Sequence, residues 1–141
     1  MVREVDPFAA SVSVTPEEME ELNALAARRL NIGCGDAPML FWTNLDSNPA
    51  MKADVHATVP PLPFADESLD EIFAGHLLEH LPRHEAAALL RECYRCLTPG
   101  GRLGIVVPDT REVMKRYLAG AMDAAEFPYR VWHRVADLDD V

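Results

Sequence analysis

The sequence is poor in the features that mark several large classes of protein. Lys and Arg together number 13 against 23 Asp and Glu, giving a formal net charge of -10, and the basic residues form no dense run. A phosphate backbone or an anionic membrane surface is therefore repelled. No stretch approaches the roughly 20 continuous apolar residues of a membrane-spanning helix. The opening Met1 to Ala10 carries acidic residues where a secretory signal has a basic and then an apolar stretch. Three cysteines, an odd number, make no disulfide framework. Repeats and low-complexity tracts are missing too. These absences predict a cytosolic (cytoplasmic) chain with reduced thiols and no membrane partner, for which nucleic acid is a disfavoured partner and a small molecule a better one.

What is present suits one domain spanning residues 1–141: 49% of the residues are apolar and 26% charged, a globular balance. Thr15-Pro16-Glu17-Glu18 combines a capping Thr, a Pro at the first helical position and a Glu three residues on. It predicts a cover helix over 15–28 with Met19, Leu22 and Ala26 as its stripe and Leu25 beside them. The core, 29–120, reads as strands over 29–35, 41–46, 53–57, 69–75 and 102–107. A Pro-rich loop is expected over 59–68, and helices over 83–97 and 109–119. Asp109 and Glu112 are placed as a capping box, Gly120 as terminator. Thr98-Pro99-Gly100-Gly101 is expected to separate the first of these helices from the last strand. Residues 121–141 have no clear pattern.

Strands alternating with helices or loops imply a parallel α/β sheet, whose ligands sit at the carboxyl ends of strands near the reversal of strand order. Gly33 to Asp36, Asp46 and His76 all fall at strand ends. The first two strands are too close for an ordinary crossover, which normally takes about a dozen residues or more, so an irregular connection or a single helical turn is expected there.

In Leu30-Asn31-Ile32-Gly33-Cys34-Gly35-Asp36, two glycines after a strand let the backbone turn tightly with amide donors facing a ligand. Pro38 stands where a dinucleotide fingerprint has its third glycine, so a pyrophosphate is not indicated. Asp46, closing the second strand, can accept from both hydroxyls of a ribose, although Asp46-Ser47-Asn48-Pro49 is also good turn chemistry. His76-Leu77-Leu78-Glu79-His80 matches a zinc-peptidase spacing, but no third ligand is evident and a strand precedes it, so no metal site is assigned. Cys93-Tyr94-Arg95-Cys96 sits at a helix end, where the dipole does not activate a thiol, and reads as core. Trp42, Phe64, Phe73 and Trp132 also read as core.

Taken in order, Leu-Asn-Ile-Gly-Cys-Gly, Trp-Thr-Asn-Leu-Asp, Ala-Asp-Val-His, Pro-Leu-Pro-Phe, Leu-Asp-Glu-Ile, His-Leu-Leu-Glu-His and Leu-Thr-Pro-Gly-Gly-Arg-Leu resemble a class I S-adenosylmethionine-dependent methyltransferase. The likeness is to the branch with a short first crossover and runs from about Leu30 to Asp109. It implies a Rossmann-like, mostly parallel sheet of about five strands with flanking helices. S-adenosyl-L-methionine would be the cofactor. The resemblance places Gly33, Cys34 and Gly35, flanked by Asn31 and Asp36, around the methionine part. Asp46 becomes the ribose acid, with Leu45 and Asn48 beside it, and His76 and Leu77 line the cofactor and face the acceptor.

This sequence departs from the pattern in two ways. Where relatives carry an Asp for the adenine amino group, it has Ala57 beside Thr58, which leaves adenine to the Thr58 hydroxyl or backbone at about 1 kcal/mol net. Residues after Gly120 are too few for the family's two further strands, so a full C-terminal antiparallel hairpin is not expected. The exposed fifth-strand edge that results is expected to be covered by Tyr129 to Val135 or by a second copy in a homodimer.

Methyl transfer mainly needs alignment of nucleophile, methyl and leaving sulfur. If the acceptor must lose a proton, His76 is the nearest candidate base by position. The implied function is methyl transfer to an unidentified acceptor. Its rival is a non-catalytic cofactor-binding or protein-interaction module that kept the fold.

Overall fold

The computed structural model describes residues 15–122. Helix α1 (Pro16–Ala26) opens as its sequence asks: Thr15 Oγ1 accepts from the Glu18 amide at 3.2 Å, and the Glu18 carboxylate accepts from the Thr15 amide at 2.8 Å. As a cover it is loose, since none of its residues is buried and Met19 and Leu25 stay exposed. Thr43 ties its end to the sheet by donating from Oγ1 to Ala26 O at 3.0 Å.

Five strands follow, β1 (Arg29–Ile32), β2 (Thr43–Asp46), β3 (Val55–His56), β4 (Leu69–Gly75) and β5 (Leu97–Val106). They lie in the order β3-β2-β1-β4-β5, parallel throughout, with no antiparallel hairpin among the described residues. This is the expected α/β, Rossmann-like sheet. The order reverses at β1, so the crevice between the carboxyl ends of β1 and β4 is where such a sheet receives a ligand. The connection over residues 33–42 holds no helix, as the short spacing predicted.

Registers of Ile32 with Leu45 and Ala74, and of Leu30 with Ile72, put these side chains on one face. Helix α2 (Arg83–Cys96) packs there, contributing Leu89, Cys93 and Cys96, and Leu62 enters from the Pro-rich loop. The core is therefore aliphatic with two thiols rather than aromatic. Phe64 packs against its rim, whereas Trp42 and Phe73 line a shallow hollow on the other face of the sheet with Glu71 and Arg102. On that face Arg29 pairs with Glu71 at 3.0 Å and lies 5.7 Å above the Trp42 ring, a cation–π distance. The fourth predicted core aromatic, Trp132, lies outside the described residues.

The fifth strand starts earlier than expected, whereas the cap and terminator of the last helix are those expected. Strand β5 begins at Leu97, not Arg102, because Leu97 already pairs with Leu69 before an irregularity brings Arg102 opposite Glu71. Such a bulge absorbs the Pro-Gly-Gly that reads as a pure turn. Thr98 anchors it by donating to Asp70 Oδ1 at 3.1 Å. Helix α3 (Thr110–Leu118) is capped by Asp109, which accepts from the Glu112 amide at 3.1 Å. It ends at Gly120, φ +70°, with the Ala121 amide donating to Arg116 O at 2.9 Å and the Gly120 amide to Tyr117 O at 3.0 Å. Leu103, Ile105 and Val106 in β5 and Val107 just after it are exposed, and the expected cover, Tyr129 to Val135, lies outside the described residues. Among the described residues no helix is long and apolar enough to cross a membrane.

Candidate functional site

The turn after β1 is built from backbone conformations open to glycine. Gly33 has φ +68° and Gly35 φ +50°, both left-handed. A Cβ on Gly35 would meet nothing within 4 Å, so the turn borders open space; one on Gly33 would lie 3.1 Å from Leu77 Cδ1. The segments after β1 and β4 thus touch at the switch in strand order.

Its amides are arranged otherwise than predicted. Gly33 N and Cys34 N both donate to Leu45 O, at 2.8 and 3.1 Å, and Gly35 N donates to Asp46 Oδ2 at 2.9 Å. With these donors committed to β2, the turn is no phosphate nest, which works by free N–H groups. It offers shape and a nearby carboxylate, an environment for a cation.

Asp46 is half-buried at the end of β2. Its Oδ1 accepts from the Asn48 amide at 2.8 Å while Oδ2 takes Gly35 N, so two backbone bonds set the carboxylate plane. Each oxygen keeps a further acceptor position. Asn48 takes part through its backbone, for its side chain accepts from the Ala50 amide at 3.0 Å. Leu45 likewise takes part through its carbonyl, its side chain being in the core. Asp36 and Thr58 are exposed, on the turn and just past β3.

Asn31 and Cys34 are both buried. Burial pushes the Cys34 thiol up, with the Asp46 charge adding to the effect, so a thiolate nucleophile is disfavoured there. Asn31 Nδ2 donates to Asn44 Oδ1 at 3.0 Å, and Asn44 is a hub that sequence reading missed. Its Oδ1 also accepts from Met39 N at 2.7 Å, and its Nδ2 donates to Met39 O, Trp42 O and Asp54 Oδ2, each at 3.1 Å. Asp54 Oδ2 accepts from Asn44 N at 2.8 Å as well. This cluster holds the helix-free crossover in place of packing. The legible signal was two asparagines in strands that were otherwise apolar or edge-facing.

His76 and Leu77 follow β4. His76 has φ +52° and its amide donates to Val106 O at 2.8 Å. Its Nδ1 lies 3.1 Å from Glu79 Oε1. The 3₁₀ turn Leu78–His80 carries Glu79 and His80, so His76 and His80 are not placed on one α-helical face as the zinc-peptidase spacing would require. Cys93 is buried as expected, its thiol pushed up to about 12 by burial first and by Cys96 second. His76, Leu77, Gly33 and Asp46 thus gather at the carboxyl ends of β4, β1 and β2.

The chain is similar to several known methyltransferases. A Variovorax paradoxus trans-aconitate 2-methyltransferase is 31% identical over 124 residues, covering 74% of this chain and 47% of its own. The Methylobacterium nodulans protein of the same name is 31% identical over 108 residues, 63% of this chain and 41% of its own. A Listeria welshimeri demethylmenaquinone methyltransferase is 32% identical over 74 residues, 48% of this chain and 30% of its own. The chain thus spans less than half the length of these curated relatives. A solved Methanococcus maripaludis chain, described as a candidate S-adenosyl-L-methionine-dependent methyltransferase, aligns at 16% identity and TM-score 0.46 over 79% of this chain and 69% of that one. The assignment rests instead on the sequence family, whose model for a methyltransferase domain matches residues 30–105, more than half of the chain. The protein belongs to the methyltransferase-domain family.

Proposed function

We propose that this chain binds S-adenosylmethionine across the carboxyl ends of β1, β2 and β4 and passes its methyl group to a nucleophilic acceptor. S-adenosylmethionine is the cofactor that family membership implies, and the residues fit it. The open space beside Gly35 admits a ligand against the backbone, and the turn's donors are spent inward, which suits an ammonium and a sulfonium rather than phosphates. When bound, the cofactor supplies a methyl carbon made electrophilic by the sulfonium.

The chain's own residues bind and orient. Asp46 accepts from the ribose hydroxyls, its plane already set by Gly35 N and Asn48 N. Gly33, Cys34, Gly35 and Asp36 shape the methionine end, with Asn31 and Leu45 holding that turn from behind. Thr58, in place of an acid, meets the adenine side, and Leu77 packs as an apolar wall beside Gly33. His76 receives the acceptor's proton where there is one to lose. Alignment supplies most of the rate, because in-line displacement needs few chemical groups.

The observation that carries this reading is the 2.9 Å bond from Gly35 N to Asp46 Oδ2, which joins the cradle and the ribose acid into one unit. Calorimetric titration with S-adenosylmethionine and S-adenosylhomocysteine tests it. Saturable binding is expected, weakened at least tenfold by Asp46→Ala, about 1.4 kcal/mol or more. A folded chain that binds neither overturns it. Trans-aconitate and demethylmenaquinone, from the names of the relatives, are the first acceptors to assay. A carboxylate arrives without its proton and makes no use of a base, so its methylation should survive His76→Ala. Binding with no transfer to any acceptor is the outcome expected of the non-catalytic module.

A further inference from the structure

The geometry points to Glu79 as the positioning residue for His76, holding the imidazole with its proton on Nδ1 and its Nε2 lone pair open to an acceptor's proton. The purpose of this pair rests on the methyltransferase reading; its geometry does not.

His76 occupies a left-handed backbone conformation, φ +52°, uncommon for a residue with a side chain and found where surrounding structure over-determines it. Here its amide is tied to Val106 O at 2.8 Å, across to the end of β5. The chain then enters a 3₁₀ turn, closed by His80 N donating to Leu77 O at 3.0 Å and Leu81 N to Leu78 O at 3.2 Å. Together these bring Glu79, three residues on, beneath the ring, with Nδ1 3.1 Å from Oε1.

An ionised carboxylate only accepts, so the ring nitrogen facing it carries the hydrogen. In the neutral ring the other nitrogen, Nε2, is then the acceptor. Exposure divides the pair by role: the His76 side chain is 63% exposed and that of Glu79 13%. The acid stands inside and the ring outside. Glu79 Oε2 is buried with no hydrogen-bond partner, an expensive arrangement that a merely solvated surface pair would not need. The ring stands next to Leu77, which touches the Gly33 turn, at the end of the sheet where the cofactor is proposed to bind.

In the transfer, the acceptor's X–H proton passes to Nε2 while the X lone pair forms the bond to the methyl carbon and the S–C bond breaks, leaving a neutral thioether. The imidazolium, steadied by Glu79, returns the proton to solvent.

The test reads the tautomer directly and needs no acceptor. In the ¹⁵N-histidine-labelled chain, long-range ¹H–¹⁵N spectra above the imidazole's titration range separate the two ring nitrogens, and His76→Gln identifies the signal. The expected result is a protonated Nδ1 and a bare Nε2. That pattern should be lost in Glu79→Leu and kept in Glu79→Gln, whose amide oxygen still accepts, with circular dichroism showing both variants folded. A wild-type ring protonated on Nε2 overturns the proposal, as does an Nδ1–H tautomer unchanged in folded Glu79→Leu. Should Glu79→Leu fail to fold, the wild-type pattern together with its retention in Glu79→Gln decides. Cofactor titration of the wild-type chain fails separately: the Nδ1–H pattern without binding removes the methyltransferase reading and keeps the pair, and binding with Nε2–H does the reverse.

Discussion

Asn44 is 6% exposed and makes hydrogen bonds to Asn31, Met39, Trp42 and Asp54. Asn44→Ala removes the side-chain acceptor of the Met39 amide and leaves Asn31 Nδ2 only Ala37 O at 3.5 Å, and a buried group left unpaired costs about 1–3 kcal/mol. Chemical denaturation should therefore show a loss of about 2–3 kcal/mol, and S-adenosylmethionine binding should weaken with it, because β2 presents both Leu45 O and Asp46 to the glycine turn. An unchanged midpoint would show that the crossover holds without this cluster. The glycines and Asp46 were legible because positive φ and strand-end carboxylates depend on residue type and local order. Asn44 was not, since its role exists only once β1 and β2 align Asn31 with Asn44.

Among the elements, the Pro-rich loop has the least local reason to be ordered, and α2 holds it from outside. Arg95 donates to Leu62 O at 3.1 Å, Phe64 O at 2.9 Å and Asp66 at 2.7 Å, and pairs with Glu92 at 2.7 Å. Glu92 accepts from Leu62 N at 2.9 Å. The Arg95 hydrogen bond first, then that of Leu62, holds the Glu92 carboxyl down at about 2. Its value in the folded chain is depressed below the unfolded one, about 4.3, so its contribution is present above that pH and lost as pH falls toward about 2. Thermal midpoints measured down this range should fall less steeply for Glu92→Gln than for the parent; parallel slopes would refute the assignment. Helices α1, α2 and α3 were legible from caps and period. The start of β5 was not, because Pro99-Gly100-Gly101 is turn chemistry locally and becomes a bulged strand only beside β4.

The whole molecule leaves β5 as a sheet edge among the described residues, with Leu103, Ile105, Val106 and Val107 exposed. Edges of this kind invite pairing. The proposed cover is Tyr129 to Val135 or a second copy aligned along β5; for the second copy, light scattering should report a dimer that Ile105→Asp reduces to a monomer. A parent chain that is strictly monomeric removes that version.

Composition and local order alone were enough for a globular α/β chain with a parallel sheet and for the Gly-Cys-Gly turn and Asp46 at strand ends, while the methyltransferase reading came from the resemblance of the ordered motifs to that family. These depend on neighbours along the chain, where propensity, capping and backbone freedom act. The switch between β1 and β4, the commitment of the turn's amides to β2, the Asn44 cluster, the Arg95 clamp and the His76–Glu79 pair were decided in three dimensions. Each needs groups brought together across strands or by a backbone conformation that no residue type specifies, and a hydrogen bond forms only where the fold delivers both partners.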